Sequence, residues 1–376
     1  MLPGEKGVSR LRVLHVVTSL EPGGMENGVC NLAHTLAARG ISTHVACLER
    51  RGAFADRLPE REAVTVLGKE RGFSLRAVVA LWRTIRRHHP HVVHTHNLGP
   101  LIYGALATLG GRTAPLLHGE HSQLAPWEMT ERRLRQRRCF YRACRAIHTV
   151  SDAQREELIG LGFAAEKIVT ISNGADTARF QPGDRTAARN ALGLPQDAQV
   201  LGLIGRFGAH KGHATLLAAF ADLGRSNPGS HLLLLGGDGP EERAIREAIA
   251  AHPFRARIHA SGFRGDLEHC YPALDLLVTP STNEGMSNVA LEAMACAVPV
   301  LANTGCGNEA FIRDDFDGWI DDLRTPNRLA VRVRALLADP ARLTAAGKKA
   351  RETVESRFAL TNMVAAYEAL YRRVAG

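Results

Sequence analysis

Two glutamates, Glu284 and Glu292, bracket the run "EGMSNVALE", where the apolar strand "LDLLVTPS" turns into the helix "VALEAMA". A carboxylate accepts two hydrogen bonds at once and suits the hydroxyls of a sugar. Ser287 or Asn288 is placed as the N-cap, and a helix start offers unsatisfied N–H groups and a positive dipole end, a natural seat for phosphate. Glu284 stands in the loop and Glu292 a turn inside the helix; one could hold a hexose and the other a ribose, with a diphosphate between them. Spacing alone favours the plainer reading, a turn residue and a good helix former.

A second group of chemistry-bearing residues stands in "LIGRFGAHKGHATLLAAF", where Arg206 and Lys211 follow a strand and lie between Gly205 and Gly212. Breaking a sugar–phosphate bond loads negative charge on the leaving diphosphate, and one fixed cation in a dry site lowers that barrier by on the order of 2–4 kcal/mol. After the first strand, in "TSLEPGGMENGV", Gly23 and Gly24 allow close backbone approach to a phosphate or sugar, and Glu26 begins a helix. A plain β–α turn is the competing reading, and the absence of GxGxxG disfavours a nicotinamide or flavin. In "APLLHGEHS", His118 ends a strand and Glu120 and His121 follow; histidines at strand ends are often structural.

Metal chemistry is the weaker reading. His94 and His96 in "HHPHVVHTHN" share one face of a strand, as zinc ligands could. His88 and His89, however, suit a helix C-terminus, which favours positive charge. Asp315-Phe316-Asp317 is formally D-x-D but runs into Gly318 and reads as an Asp-Gly turn. No metal and no cofactor are expected.

The elements that must carry these residues alternate: short apolar runs and helical patterns follow one another throughout, the βαβ signature of parallel sheets. The first series of strands reads "LRVLHVVTS", "STHVACLE", "AVTVLG", "HVVHTH", "APLLHGEH", "AIHTVS" and "KIVTIS", with helices at 26–39, closed by Gly40, and 75–89, stopped by Pro90. Residues 174–198 are rich in Gly, Pro and Asp and read as a connection. A second series follows, "VLGLIGRFG", "HLLLLGGDG", "RIHASG", "LDLLVTPS" and "PVLANTG". Two successive open α/β sheets imply a cleft with binding loops at the carboxyl ends of the strands. The expected fold class is therefore α/β, two Rossmann-like doubly wound parallel-sheet domains.

Composition narrows the setting. At 376 residues the chain suggests two domains, with an ordinary 45% hydrophobic and 23% charged content. "MLPGEKGVSR" has no apolar core and is not expected to be a signal peptide, and no apolar run reaches the roughly 18 residues of a membrane span. Seven cysteines without a CxxC pair point to free thiols and a cytoplasmic location. All of the net charge of +9 falls in residues 1–180, with 25 Lys/Arg against 16 Asp/Glu. Within it, "ERRLRQRRCFYRACR" (131–145) carries seven arginines and one glutamate, either a solvated helix face or a patch for anionic lipid headgroups or a phosphorylated acceptor. No recognised nucleic-acid motif appears, and nucleic acid is not expected.

Taken together, these motifs resemble one family: retaining glycosyltransferases of the GT-B class, family GT4, in particular bacterial exopolysaccharide-type sugar transferases. Its E-x7-E signature, in a run like "EGxxxxxLEAMAxGxPV", is matched by Glu284, Gly285, Leu291, Glu292, Ala293, Met294, Ala295, Pro299 and Val300, and its G-R-x(3–5)-K-G by Gly205, Arg206, Lys211 and Gly212. His94 and His96 match its "DVVHxH"-like strand. The resemblance covers nearly the whole chain. It implies an acceptor-binding domain over 1–180, completed by a C-terminal helix at about 359–376, and a nucleotide-sugar domain over 181–358.

As the resemblance implies, Arg206 and Lys211 grip the donor diphosphate, Glu284 orients the sugar, Glu292 holds the ribose, and His118 lies beside the sugar. Gly23, Gly24 and Gly205 approach the donor, Arg264 lines the base pocket, and Glu120 and His121 meet the acceptor. The expected reaction is retaining, metal-independent transfer of a hexose or N-acetylhexosamine from a nucleoside-diphosphate sugar, UDP-linked, to a hydroxyl of a glycan, lipid-linked or small-molecule acceptor. Two departures stand out. Ala297 replaces the family's usual Gly, at a cost of roughly 1 kcal/mol if that site is left-handed; and "EGMSN" replaces "EGFGL", changing Met286, Ser287 and Asn288 in the donor pocket. A 2-epimerase or phosphorylase on the same fold, or a non-catalytic nucleotide-sugar-binding scaffold, are the alternatives.

Overall fold

Runs rich in Val, Leu and Ile, bounded by Gly, Asn and Pro, form strands buried on both faces, as parallel sheets require. The computed structural model describes residues 11–59, 63–237 and 239–376, so residues 1–10, read above for a signal peptide, lie outside it. One unit runs to Ser172 and takes in Met363–Gly376; the other is Asn173–Asn362.

The first unit is built on β1 (Arg12–Ser19), β2 (Ser42–Arg50), β3 (Val64–Val66), β4 (Val92–His96), β5 (Leu116–Gly119), β6 (Cys144–Thr149) and β7 (Ile168–Thr170), in the order β3-β2-β1-β4-β5-β6-β7. All of its pairings are parallel. The second is built on β8 (Gln199–Ile204), β9 (Ser230–Leu235), β10 (Ile258–Ser261), β11 (Leu276–Thr279), β12 (Val300–Asn303) and β13 (Trp319–Asp321), in the order β10-β9-β8-β11-β12-β13. These too pair in parallel. The strand β13 has no counterpart among the runs read from sequence, because three residues behind a turn show no periodicity.

Each sheet reverses its winding once, between β1 and β4 in the first unit and between β8 and β11 in the second. Ligands of open α/β sheets bind outside the carboxyl ends of the strands at such a switch point. The sheets are held by cores of their own: Leu14, Val16, Leu81, Leu101 and Leu116 in one, Leu203, Phe220, Leu234, Val278 and Trp319 in the other.

Helix limits follow local signals. Ser74 caps Leu75–His88 by accepting from Ala77 N–H at 3.2 Å, and the helix ends in His89 at φ 44°. The expected connection at 174–198 packs largely as part of the second unit. Its helix Arg185–Ala191 is held by buried Arg189, which donates to Asp275 at 2.9 Å and to the Ala273 carbonyl at 3.2 Å. The last helix, Leu360–Ala375, completes the first unit, with Tyr371 Oη 2.8 Å from His94 Nδ1 and Arg145 donating to the Val374 carbonyl at 2.7 Å. Among the described residues, no helix is long and apolar enough to cross a membrane.

Candidate functional site

In the second unit the loops that leave β8 and β11, on either side of the switch point, are tied together. Lys211 ends the 3-10 turn Ala209–Lys211, and Glu284 lies in the loop before the helix Asn288–Ala295. Their side chains form an ion pair, each partly buried. Thr282 N–H donates to the His210 carbonyl at 2.8 Å, a backbone bond between the same two loops. Gly212 lets them approach: at φ 75°, a Cβ there would stand 2.8 Å from the Pro280 carbonyl oxygen. Arg206 is exposed at the mouth of the same loop, and the Lys211 chain runs within 3.6 Å of where a Cβ on Gly205 would be. A cation and a carboxylate are thus paired at one strand-end position, with Arg206 on the same loop as Lys211, a composition suited to holding a polyphosphate beside a hydroxyl-rich group.

Glu292 lies one turn inside the helix, 7% exposed, and accepts from Tyr271 Oη–H at 3.0 Å. Burial, together with the neighbouring Glu292 carboxylate, pushes the Tyr271 hydroxyl well above its usual pKa, so it remains a donor. Ser287 is the N-cap, accepting from Ala290 N–H at 3.3 Å. Met286 is buried, its carbonyl accepting from Asn173 Nδ2–H at 3.0 Å. Both side chains therefore shape the loop, while Asn288 opens the helix beside them. Arg264 makes a two-pronged contact with Asp266, at 2.9 and 2.5 Å, in the loop after β10.

In the first unit Gly23 and Gly24 follow β1, and Gly24 is the first residue of the helix Gly24–Ala38. A side chain at Gly23 would meet the Glu26 carboxylate at 2.3 Å. His118, on β5, is fully buried with both ring nitrogens engaged, Nδ1 to Thr95 Oγ1 at 3.0 Å and Nε2 to Glu120 at 3.3 Å. Glu120 also accepts from Arg137 Nε–H at 2.9 Å and from Tyr141 Oη–H at 2.7 Å. Burial works against the charge, but His118 and then Arg137 outweigh it and hold the Glu120 carboxyl well below the usual range. His121 is half-buried, its Nε2 2.8 Å from His96 Nδ1.

The histidines of β1, β4 and β6 meet because of register. His15 stands opposite His94, and Gly119 stands opposite both His96 and His148. A Cβ on Gly119 would come within 2.2 Å of His148 Nε2, so only glycine leaves the gap across which His94 and His148 contact at 2.9 Å. Two trios, His15-His94-His96 and His96-His121-His148, hold their candidate ligand atoms within 4.8 Å. Their contacts of 2.8–3.0 Å are hydrogen-bond lengths. Zinc at about 2.0–2.1 Å from each nitrogen would space tetrahedral ligands about 3.3 Å apart.

Asp317 of the D-x-D triplet is fully buried, accepting from Arg313 Nε–H at 2.9 Å and Thr353 Oγ1–H at 2.8 Å. Asp315, at φ 58° in the turn, accepts from Trp319 Nε1–H at 3.0 Å. The two carboxylates serve different parts of the fold. Sequence reasoning missed the burial of Arg137, which sits within the arginine run and carries no mark distinguishing it from its exposed neighbours. It also missed Asp275, whose partners Arg185 and Arg189 lie far from it along the chain.

Two parallel-sheet Rossmann-like units, with a Lys–Glu pair at the switch point of the second, have the architecture of the GT-B class. Residues 22–179 match the family described as Glycosyltransferase Family 4, and residues 184–353 match Glycosyl transferases group 1. The chain is 30% identical to a D-inositol 3-phosphate glycosyltransferase of Kineococcus radiotolerans, over 91% of this chain and 90% of that one. It is likewise 30% identical to the enzyme of that name from Geodermatophilus obscurus, over 94% and 86%. The chain therefore belongs to the GT4 family of glycosyltransferases. Among solved structures, Anabaena HepE in complex with UDP-glucose superposes with a TM-score of 0.86 at 23% identity, over 96% of this chain and 99% of that one. Sucrose-phosphate synthase from Thermosynechococcus elongatus does so at 0.83 and 24%, over 97% and 99%.

Proposed function

We propose that this glycosyltransferase moves a hexose or N-acetylhexosamine from a nucleoside-diphosphate sugar, UDP-linked, to an acceptor hydroxyl, with retention and without a metal. The observation that carries the reading is the coupling of Lys211 and Glu284 across the switch point of the second unit, with Arg206 beside them. Arg206 and Lys211 hold the diphosphate at the start of the helix Asn288–Ala295, Glu284 orients the sugar, and Glu292 takes the ribose, with Arg264 toward the base. The first unit binds the acceptor.

In the ligand-free chain Lys211 and Glu284 neutralise each other, and donor binding exchanges that pair for phosphate on one side and sugar hydroxyls on the other. The chemical step is front-face substitution: the bond from the anomeric carbon to the phosphate oxygen breaks, and its electron pair stays on the diphosphate. The acceptor oxygen bonds to the same face, and its proton passes to the departing phosphate oxygen. That route is favoured because Glu120 and Glu292 are already engaged by buried donors. The relatives named for transfer to D-inositol 3-phosphate make a small phosphorylated polyol a first acceptor to test.

The test is a thermal-shift panel of UDP-, GDP- and ADP-sugars followed by transfer assays. A cognate donor at 100 times its Kd adds about 2.7 kcal/mol of stability. Stabilisation by none of them overturns the reading; stabilisation without turnover on any acceptor points to a binding scaffold.

We also propose peripheral contact with anionic membrane through residues 131–145, at the cytoplasmic face. Arg132, Arg133, Arg135, Arg138 and Arg142 are exposed there, and Trp127, 69% exposed, lies just before them with Met129. An amphipathic aromatic beside a basic cluster suits the headgroup layer.

A further inference from the structure

The imidazoles of β1, β4 and the loop after β5 form a chain whose direction can be worked out. His15 Nδ1 lies 3.0 Å from His96 Nε2, and His96 Nδ1 lies 2.8 Å from His121 Nε2. Burial depresses all three, His15 to about 3 and His121 to about 4, so near neutral pH each ring is uncharged and carries one N–H and one lone pair. His96 therefore accepts on one side and donates on the other, and only two directions are open.

The closed end decides between them. His15 Nε2 is buried with no hydrogen-bond partner among the described residues. If the chain ran from His121 inward, that nitrogen would carry a buried N–H with no acceptor; if it runs outward, only a lone pair is left unmet. Orphaned buried N–H groups are the rarer and costlier case. The chain therefore runs from His15 Nδ1–H to His96 Nε2, and from His96 Nδ1–H to His121 Nε2. His121 is left with its proton on Nδ1, an atom with no protein partner among the described residues, on a ring that is only half-buried. Nδ1–H is the minor tautomer of a free histidine, so the arrangement is imposed.

We propose that His15 and His96 are positioning residues that lock His121 as the Nδ1–H tautomer, so that His121 donates a hydrogen bond to an oxygen of the bound acceptor. The role as acceptor contact rests on the transfer reading above; the tautomer does not.

The test uses the full chain with ¹⁵N-labelled histidine. Long-range ¹H–¹⁵N correlation should show His121 protonated at Nδ1 and bare at Nε2, and an Nε2–H ring in the wild type overturns the proposal. His15→Phe removes the first donor and should let the chain reverse, mixing the His121 tautomers and raising the acceptor KM roughly fivefold with kcat little changed. His15→Asn, whose amide N–H stands where Nδ1–H was, should restore both; a pure Nδ1–H signal in His15→Phe overturns the relay. A stoichiometric transition metal bound through His96, His121 and His148 would also overturn it, since coordination consumes the His121 Nε2 lone pair. If the wild type transfers no sugar to any acceptor while the tautomer is as stated, the transfer reading fails and the relay stands.

Discussion

Lys211 and Glu284 stand in contact in the ligand-free chain, so each holds the other in place. Removing one member should do more than delete a contact, because it leaves the other without its counter-charge until the donor binds. Lys211→Ala and Glu284→Ala should each lower kcat/KM for transfer by about 10²–10³, the range for one charge-stabilising group. Circular dichroism and the melting temperature should stay close to wild type, because both side chains are partly exposed. Near-normal turnover in both variants would remove them from the reaction. His118 and Glu120 differ from this pair in being buried, His118 with both ring nitrogens engaged and Glu120 with Oε1 accepting from Arg137.

The helix Asn288–Ala295 is the element on which the proposed donor site turns, and each of its ends has a distinct local signature. At its start Ser287 supplies the cap. Beyond its end, Ala297 is held at φ 58°, a left-handed conformation in which alanine is strained. Ala297→Gly should relieve that strain and raise stability by about 1 kcal/mol, read by denaturant unfolding, with no change in donor affinity. An unchanged or lower stability would mean that the greater conformational freedom of glycine in the unfolded chain offsets the relief of strain.

For the whole molecule, buried neutral histidines set the response to acid. His15 is depressed to about 3, and His44, His121 and His213 to about 4, with burial the largest cause in each. A depressed histidine costs nothing above pH 6.5, where both folded and unfolded chains are neutral. Below it the unfolded chain takes up a proton that the folded one refuses, so stability falls as pH drops from about 6.5 toward 4. One such group should remove roughly 2 kcal/mol by pH 5. The melting temperature should therefore fall steeply between pH 7 and 5, and a flat profile would contradict the burial. The basic surface gives a second whole-molecule prediction. The chain should co-sediment with phosphatidylglycerol vesicles but not with phosphatidylcholine vesicles, and Trp127→Ala with Arg132→Glu and Arg135→Glu should abolish this. Equal binding to both lipids, or none, removes the membrane reading.

Much of this was legible in one dimension. Strand and helix runs follow from periodicity and from capping residues next to them, so twelve of the thirteen strands among the described residues and the two-sheet architecture could be read from local pattern, whereas Arg206, Lys211 and Glu284 were singled out by the family resemblance, spacing alone favouring a plain turn residue at Glu284. The left-handed site at Ala297 was marked by the position at which glycine was expected. What local pattern could not supply were pairings between distant segments. Nothing in "ERRLRQRR" distinguishes Arg137 from its neighbours, yet the fold draws that one side chain beneath the surface to Glu120 and Glu128. Five histidines on β1, β4, β6 and the loop after β5 converge only because parallel register sets them side by side with Gly119 between them. Periodicity is a property of adjacent residues and is written in the sequence; which buried polar group answers which depends on register and chain crossing, and only the tertiary structure decides it.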